Sequence, residues 1–203
     1  KEIDMLAGNM DAFNGKNIFG LSGKFLSKDI KKVLGLLKEV LTSTVFREEE
    51  LKTVKGEILS EIRQRDDDPI RNTFIRFNET LYKGHPYSRD PVGNEADIEN
   101  LKLNDIEEYY KNYVSPSNAV LAISGDVDEK ELKAMFENLF FQWKGRSNPL
   151  KKLPPVATPE KHVVITKDIM QSHLIFGFAG PGIIDEDRYA VEVMDAILSG
   201  MGG

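Results

Sequence analysis

Apolar residues return at helical spacing through the first two-thirds of this chain, and that rhythm limits the fold more than any other feature. Ile30, Val33, Leu34, Leu37, Val40 and Leu41 make one stripe, and Leu51, Val54, Ile58 and Ile62 make a second over Glu48–Arg65. Ile70, Phe74, Phe77 and Leu81 make a third. Between the second and third stands Asp66-Asp67-Asp68-Pro69, where Asp68 can cap and Pro69 takes the first helical position, at which its missing N–H costs nothing. Ser27 is placed to cap the first helix. Asn104 with Glu107 fits a capping box for a helix carrying Ile106, Tyr110 and Tyr113, and Asp128 with Glu131 fits another for Leu132, Met135, Phe136 and Leu139. Residues 185–198 read as a last helix.

Strand signals interrupt the helices. Residues 9–25 read as two strands around Asn14-Gly15-Lys16-Asn17, with Phe19, Leu21, Gly23 and Phe25 alternating after the turn. Residues 119–124 form a short apolar run closed by Gly125-Asp126, the pattern of a buried strand, and 162–166 and 173–178 read as strands as well. Residues 83–97 are a Gly/Pro/Asp-rich loop, and 144–160 have the proline and lysine content of a linker. The order predicts an α+β fold, an antiparallel sheet with helices packed on one side. It also predicts a first domain over 1–150, a linker over 151–160 and the start of a second domain over 161–203. Lys1 opens on a polar turn and the chain stops within a Gly-rich stretch, so it reads as incomplete at both ends.

Composition narrows the chemistry. A chain of 203 residues with 40% hydrophobic residues can bury a core without cross-links. It has no cysteine, which excludes a thiol nucleophile, a cysteine zinc site and a disulfide framework. A net charge of −6 gives no electrostatic reason to bind nucleic acid or anionic lipid. No apolar run approaches the roughly 20 residues of a membrane-spanning helix. There is no G-x-S-x-G elbow and no phosphate-binding glycine loop. The compartment stays open.

On the helix over 48–65, at about 100° per residue, Glu61 falls at the edge of the apolar stripe, and Glu57 lies one turn earlier and further out. A carboxylate at such an edge suits a metal ligand. The helix pattern alone favours instead a solvated helix flank engaged in pairing four residues apart. His85, His162 and His173 lack the spacing of a helical zinc motif, and each reads as a hydrogen-bonded structural histidine.

Several segments, in this order, resemble the pitrilysin/insulinase-type metallopeptidases of the M16 family, which includes the mitochondrial processing peptidases. They are Gly8-Asn9-Met10-Asp11-Ala12-Phe13-Asn14, Phe46-Arg47-Glu48-Glu49-Glu50-Leu51, Glu57-Ile58-Leu59-Ser60-Glu61-Ile62 and Asp67-Asp68-Pro69. His85-Pro86-Tyr87-Ser88, the run from Tyr113 to Leu121, Gly125-Asp126-Val127-Asp128 and Phe140-Phe141-Gln142-Trp143 follow. The resemblance implies a zinc-dependent endopeptidase whose H-x-x-E-H helix, with two ligands and the general base, lies outside this chain. Glu61 then matches the third protein ligand and Glu57 a supporting position beside it, while Val54 stands where the family has an acidic residue. Asp11, Ala12, Phe13 and Asn14 match the edge strand that receives the substrate peptide, with Asp11 in place of a family Asn and Asn14 in place of a Thr. Gln171-Ser172-His173 resembles the first strand of the next family domain. Zinc is therefore implied for the whole protein and not for this chain, which is expected to be inactive alone. Its implied partners are a peptide and either a second copy or a second M16-like half. The same resemblance admits a non-catalytic substrate-binding or structural subunit.

Overall fold

The computed structural model describes residues 3, 6, 8–149, 153, 156, 162–168 and 170–200. It is α+β, with one small antiparallel sheet among many helices. By proximity the chain divides into two units, residues 1–63 with 91–151, and 64–90 with 152–203. Most of the linker expected over 151–160 lies outside the described residues.

The first unit begins with a hairpin. Strand β1 (Asn9–Asn14) pairs antiparallel with β2 (Phe19–Lys24), Asn9 opposite Lys24 and Asn14 opposite Phe19. A Gly15 N–H to Ile18 carbonyl bond of 2.8 Å closes the turn one residue later than the sequence places it, and Asn14 belongs to β1. Glycine at position 23 is a packing requirement, because a Cβ there would lie 2.5 Å from the Phe25 ring and 2.7 Å from the Asn9 carbonyl oxygen.

Helix α1 (Ile30–Thr42) follows a 3₁₀ turn over Ser27–Asp29. Ser27 makes no side-chain cap, since the chain enters the helix through that turn. Val33 and Leu34 are the buried residues of α1. It packs on α6 (Glu129–Phe140), which Asp128 caps by accepting from the Glu131 N–H at 2.8 Å. Phe140 is buried at the end of α6, stacked on Phe136 with centroids 4.5 Å apart.

Helix α2 (Glu48–Asp67) is two residues longer than its periodic stripe predicts, and its residues to Arg63 belong to this unit. Leu51 and Ile62 are buried on it. Helix α3 (Pro69–Leu81) follows in the second unit. Helix α4 (Glu95–Asn100), which the loop-like composition of 83–97 conceals, is capped by the Asn94 side chain. It is tied to α2 by Lys55 Nζ donating to the Glu99 carbonyl at 2.9 Å and by Arg63–Glu95 at 3.2 Å. Helix α5 (Leu103–Tyr113) starts earlier than the Asn104/Glu107 reading. Asp105 accepts from the Lys102 N–H at 2.8 Å, so the acidic residue nearer the break takes the capping role, and Asn104 donates instead to Glu108. Tyr110 on α5 donates to the Val40 carbonyl and meets Phe46 edge to face.

Residues 119–124 are not a strand. They run without a paired neighbour, and Val120 is 97% exposed. An apolar run becomes a strand only when another strand satisfies its backbone, and none of the described residues does so here.

In the second unit, Asp68 caps α3 as expected, its Oδ1 accepting from the N–H groups of Ile70 and Arg71. A 3₁₀ turn over Pro86–Ser88 packs on α3. Residues 162–166 and 173–178 form no ladder with any described residue, so these strand readings are corrected too. Their apolar side chains stay largely exposed, and Gly177 lies directly under the Phe77 ring of α3. The last helix is shorter than 185–198: α7 spans Arg188–Asp195 and continues as a π turn over Ala196–Gly200.

Candidate functional site

The helix that carries Glu61 shows which face of it is covered. Measured from Leu51 at about 100° per residue, Ile58, Ile62 and Lys55 fall within about 40° of Leu51, and Leu59 at about 80° on the side of Lys55. All five are buried or half-buried. Val54, Glu61 and Glu57 fall on the other side, at about 60°, 80° and 120°, and all three are exposed. The covered arc is therefore turned toward Lys55 and Leu59, the flank that α4 ties down, and away from Glu61. The partly desolvated setting expected for Glu61 is not present in the described structure; Glu61 and Glu57 share one exposed flank together with Val54.

The histidines do not join them. His85 is buried, with its ring edge-on to Tyr87 at 4.7 Å, and its Nδ1 accepts from the Tyr87 N–H at 3.1 Å. It is a structural histidine. His162 is exposed and His173 half-buried, both in segments of the second unit without strand pairing. Among the described residues no three His, Asp or Glu side chains converge on a point that could hold a metal. Zinc takes four ligands, or three and a water. The donor set of the described residues therefore does not by itself fit zinc: Glu61 offers one carboxylate.

The substrate-strand residues are brought together on the hairpin. The pleat places Asn9, Asp11 and Phe13 on one face and Met10, Ala12 and Asn14 on the other, where Phe19 of β2 meets Tyr109 of α5 at 5.9 Å. Asp11, Ala12, Phe13 and Asn14 are all exposed. Asn9 Nδ2 donates to Asp11 Oδ2 at 3.2 Å, and Asn14 Nδ2 to the Pro91 carbonyl at 3.4 Å. Among the described residues β1 has one strand neighbour, so every second residue turns its N–H and C=O to the open edge.

A family profile described as the peptidase M16 inactive domain matches residues 100–202, half of the chain. The chain belongs to the M16 peptidase family. An uncharacterized zinc protease of Rickettsia bellii is 26% identical over 202 residues, covering 100% of this M16 chain and 48% of that protein. The zinc protease PqqE of Helicobacter pylori is 26% identical over 194 residues, 91% of this chain and 44% of that one. The chain thus spans about half the length of the curated relatives it matches. A crystal structure of a protease from Helicobacter pylori superposes with a TM-score of 0.68 at 27% identity, over 77% of this chain and 38% of that one. The peptidase M16 inactive domain from Pseudomonas fluorescens gives a TM-score of 0.69 at 21% identity, over 76% and 38%, a likeness of fold.

Sequence reasoning missed Arg65. It is buried near the end of α2, pairing with Asp66 at 2.9 Å and Asp90 at 3.2 Å. The signal was available, since Arg65 falls about 40° from Leu51, inside the apolar arc.

Proposed function

We propose that the protein containing this chain is a zinc-dependent endopeptidase of the M16 type, in which the chain supplies one metal ligand, Glu61, and the peptide-receiving strand β1. The observation that carries this reading is the match over the whole chain to proteins called zinc proteases. The chain contains no H-x-x-E-H, and with one carboxylate in hand it is inactive alone. The two histidine ligands and the general base belong to the rest of the protein. Glu57, exposed on the same flank one turn before, supports the ligand position. Residues 1–150 form most of a first M16 domain and 161–203 the beginning of a second, joined by 151–160. The assembly pairs this half with a second M16-like half or a second copy.

The test is Glu61→Gln in the full-length protein. It is expected to lose bound zinc and peptide hydrolysis while keeping its far-UV circular dichroism. Full zinc stoichiometry in that variant would sink the ligand assignment. Wild-type protein that binds peptides but cleaves none would point instead to a substrate-binding subunit.

A further inference from the structure

The hairpin carries one charge on the strand proposed to receive the peptide. Of the six residues of β1, Asp11 alone is charged, and its side chain is exposed. The register sets it opposite Ser22, on the face it shares with Asn9 and Phe13. The cation that β2 places on that face is Lys24, which stands opposite Asn9, the next pair along on the same face. Asp11 is not ion-paired with it; its Oδ2 accepts from the Asn9 amide of its own strand at 3.2 Å, which holds the carboxylate over β1. Phe13 leans the other way. Its ring lies over Gly20 of β2, where a Cβ would come within 2.9 Å of Cζ. The bulk on this face therefore sits toward β2, and the flank of Asp11 toward the open edge carries no large side chain from β1.

An extended peptide added to that edge places every second side chain on the Asp11 face. The residue directly opposite Asp11 has its Cβ about 5 Å away, close enough for an opposite charge to stabilise the pair and a like charge to weaken it. The other face of β1 holds Met10, Ala12 and Asn14 and has no such preference. We infer that Asp11 makes this strand selective for peptides carrying a lysine or arginine at the position opposite it, and selective against aspartate or glutamate there. The inference rests on the reading of β1 as the peptide strand and names the substrate class that strand takes.

The experiment uses the full-length protein and a fluorescein-labelled peptide series, identical except for a Lys, Gln or Glu moved one position at a time. Binding by anisotropy and cleavage are read in parallel. At one position the Lys peptide is expected to outperform the Glu peptide by about five-fold, the scale of one exposed charge pair. Asp11→Asn brings that ratio close to one, and Asp11→Lys inverts it. An unchanged ratio in Asp11→Lys overturns the inference while leaving the peptidase reading intact. Binding with the expected ratio but without cleavage keeps the inference and removes the peptidase reading. A wild-type protein that binds none of the peptides overturns both.

Discussion

Arg65 holds its charge where burial is expensive, and its two carboxylate partners are what make the position tenable. Its side chain is 7% exposed against 21% for Asp90 and 52% for Asp66. Removing the guanidinium takes its paired cation from the half-buried Asp90 carboxylate. Arg65→Met in the full-length protein should lower the unfolding free energy by about 2 kcal/mol, below the usual cost of breaking a fully buried pair because Asp66 remains solvated. Urea denaturation measures it. Arg65→Lys should recover only part of the loss, since an ammonium cannot fork to two carboxylates. Stability unchanged in Arg65→Met would mean that the pairing contributes nothing. The same residue shows where sequence reading stops. A helical wheel places Arg65 in the apolar arc, but its more buried partner, Asp90, lies 25 positions on, in a loop whose path no local pattern specifies. Glu61 is the reverse case. Its position on the helix was legible, and its exposure was not, because which flank of α2 is tied down depends on α4, which composition hid.

Caps were legible at Asp68 and Asp128, where the chemistry is local, and misplaced at Ser27 and at Asn104 with Glu107, where the helix starts elsewhere. Asp68 and Pro69 open α3 as the sequence indicates, and Asp68→Ala should cost about 1 kcal/mol, two amide donors losing one acceptor. A thermal melt resolves this, and an Asn replacement should restore most of it. The hairpin itself was equally readable from its turn and alternation, but its register was not: Asn14, read as part of the turn, closes β1 opposite Phe19. The hairpin's tolerance is low at one point: in Gly23→Ala the new methyl meets the Asn9 carbonyl, which belongs to the ladder and cannot step aside. The expected loss is about 1–3 kcal/mol, the cost of overpacking, with amide exchange across β1 and β2 accelerating first. The segments at 119–124, 162–166 and 173–178 failed as strands for a non-local reason. Their apolar character was real, but a ladder needs a second strand, and among the described residues only β1 and β2 find each other.

At the scale of the molecule, apolar surface remains open in both units. Val54 and Val120 are exposed in the first, and Leu174, Phe176, Phe178 and Ile184 in the second. Large apolar side chains left in solvent favour association. The isolated chain should self-associate as its concentration rises, which light scattering coupled to size exclusion would show; a strict monomer across a hundred-fold range would contradict it. The same isolated chain should take up no stoichiometric zinc in equilibrium dialysis, since one carboxylate cannot hold the ion against water.

The contact between Phe77 and Gly177 also bears on how the protein is made. A helix near the middle of the chain completes its packing only when a glycine 100 residues later arrives beneath its ring. At ribosomal speeds of roughly 5–20 residues per second, that interval is roughly 5–20 seconds. For that time α3 is out of the ribosome with Phe77 uncovered by its partner segment. The emerging chain thus has a defined window in which a chaperone can act on it, and the window closes when residue 177 docks.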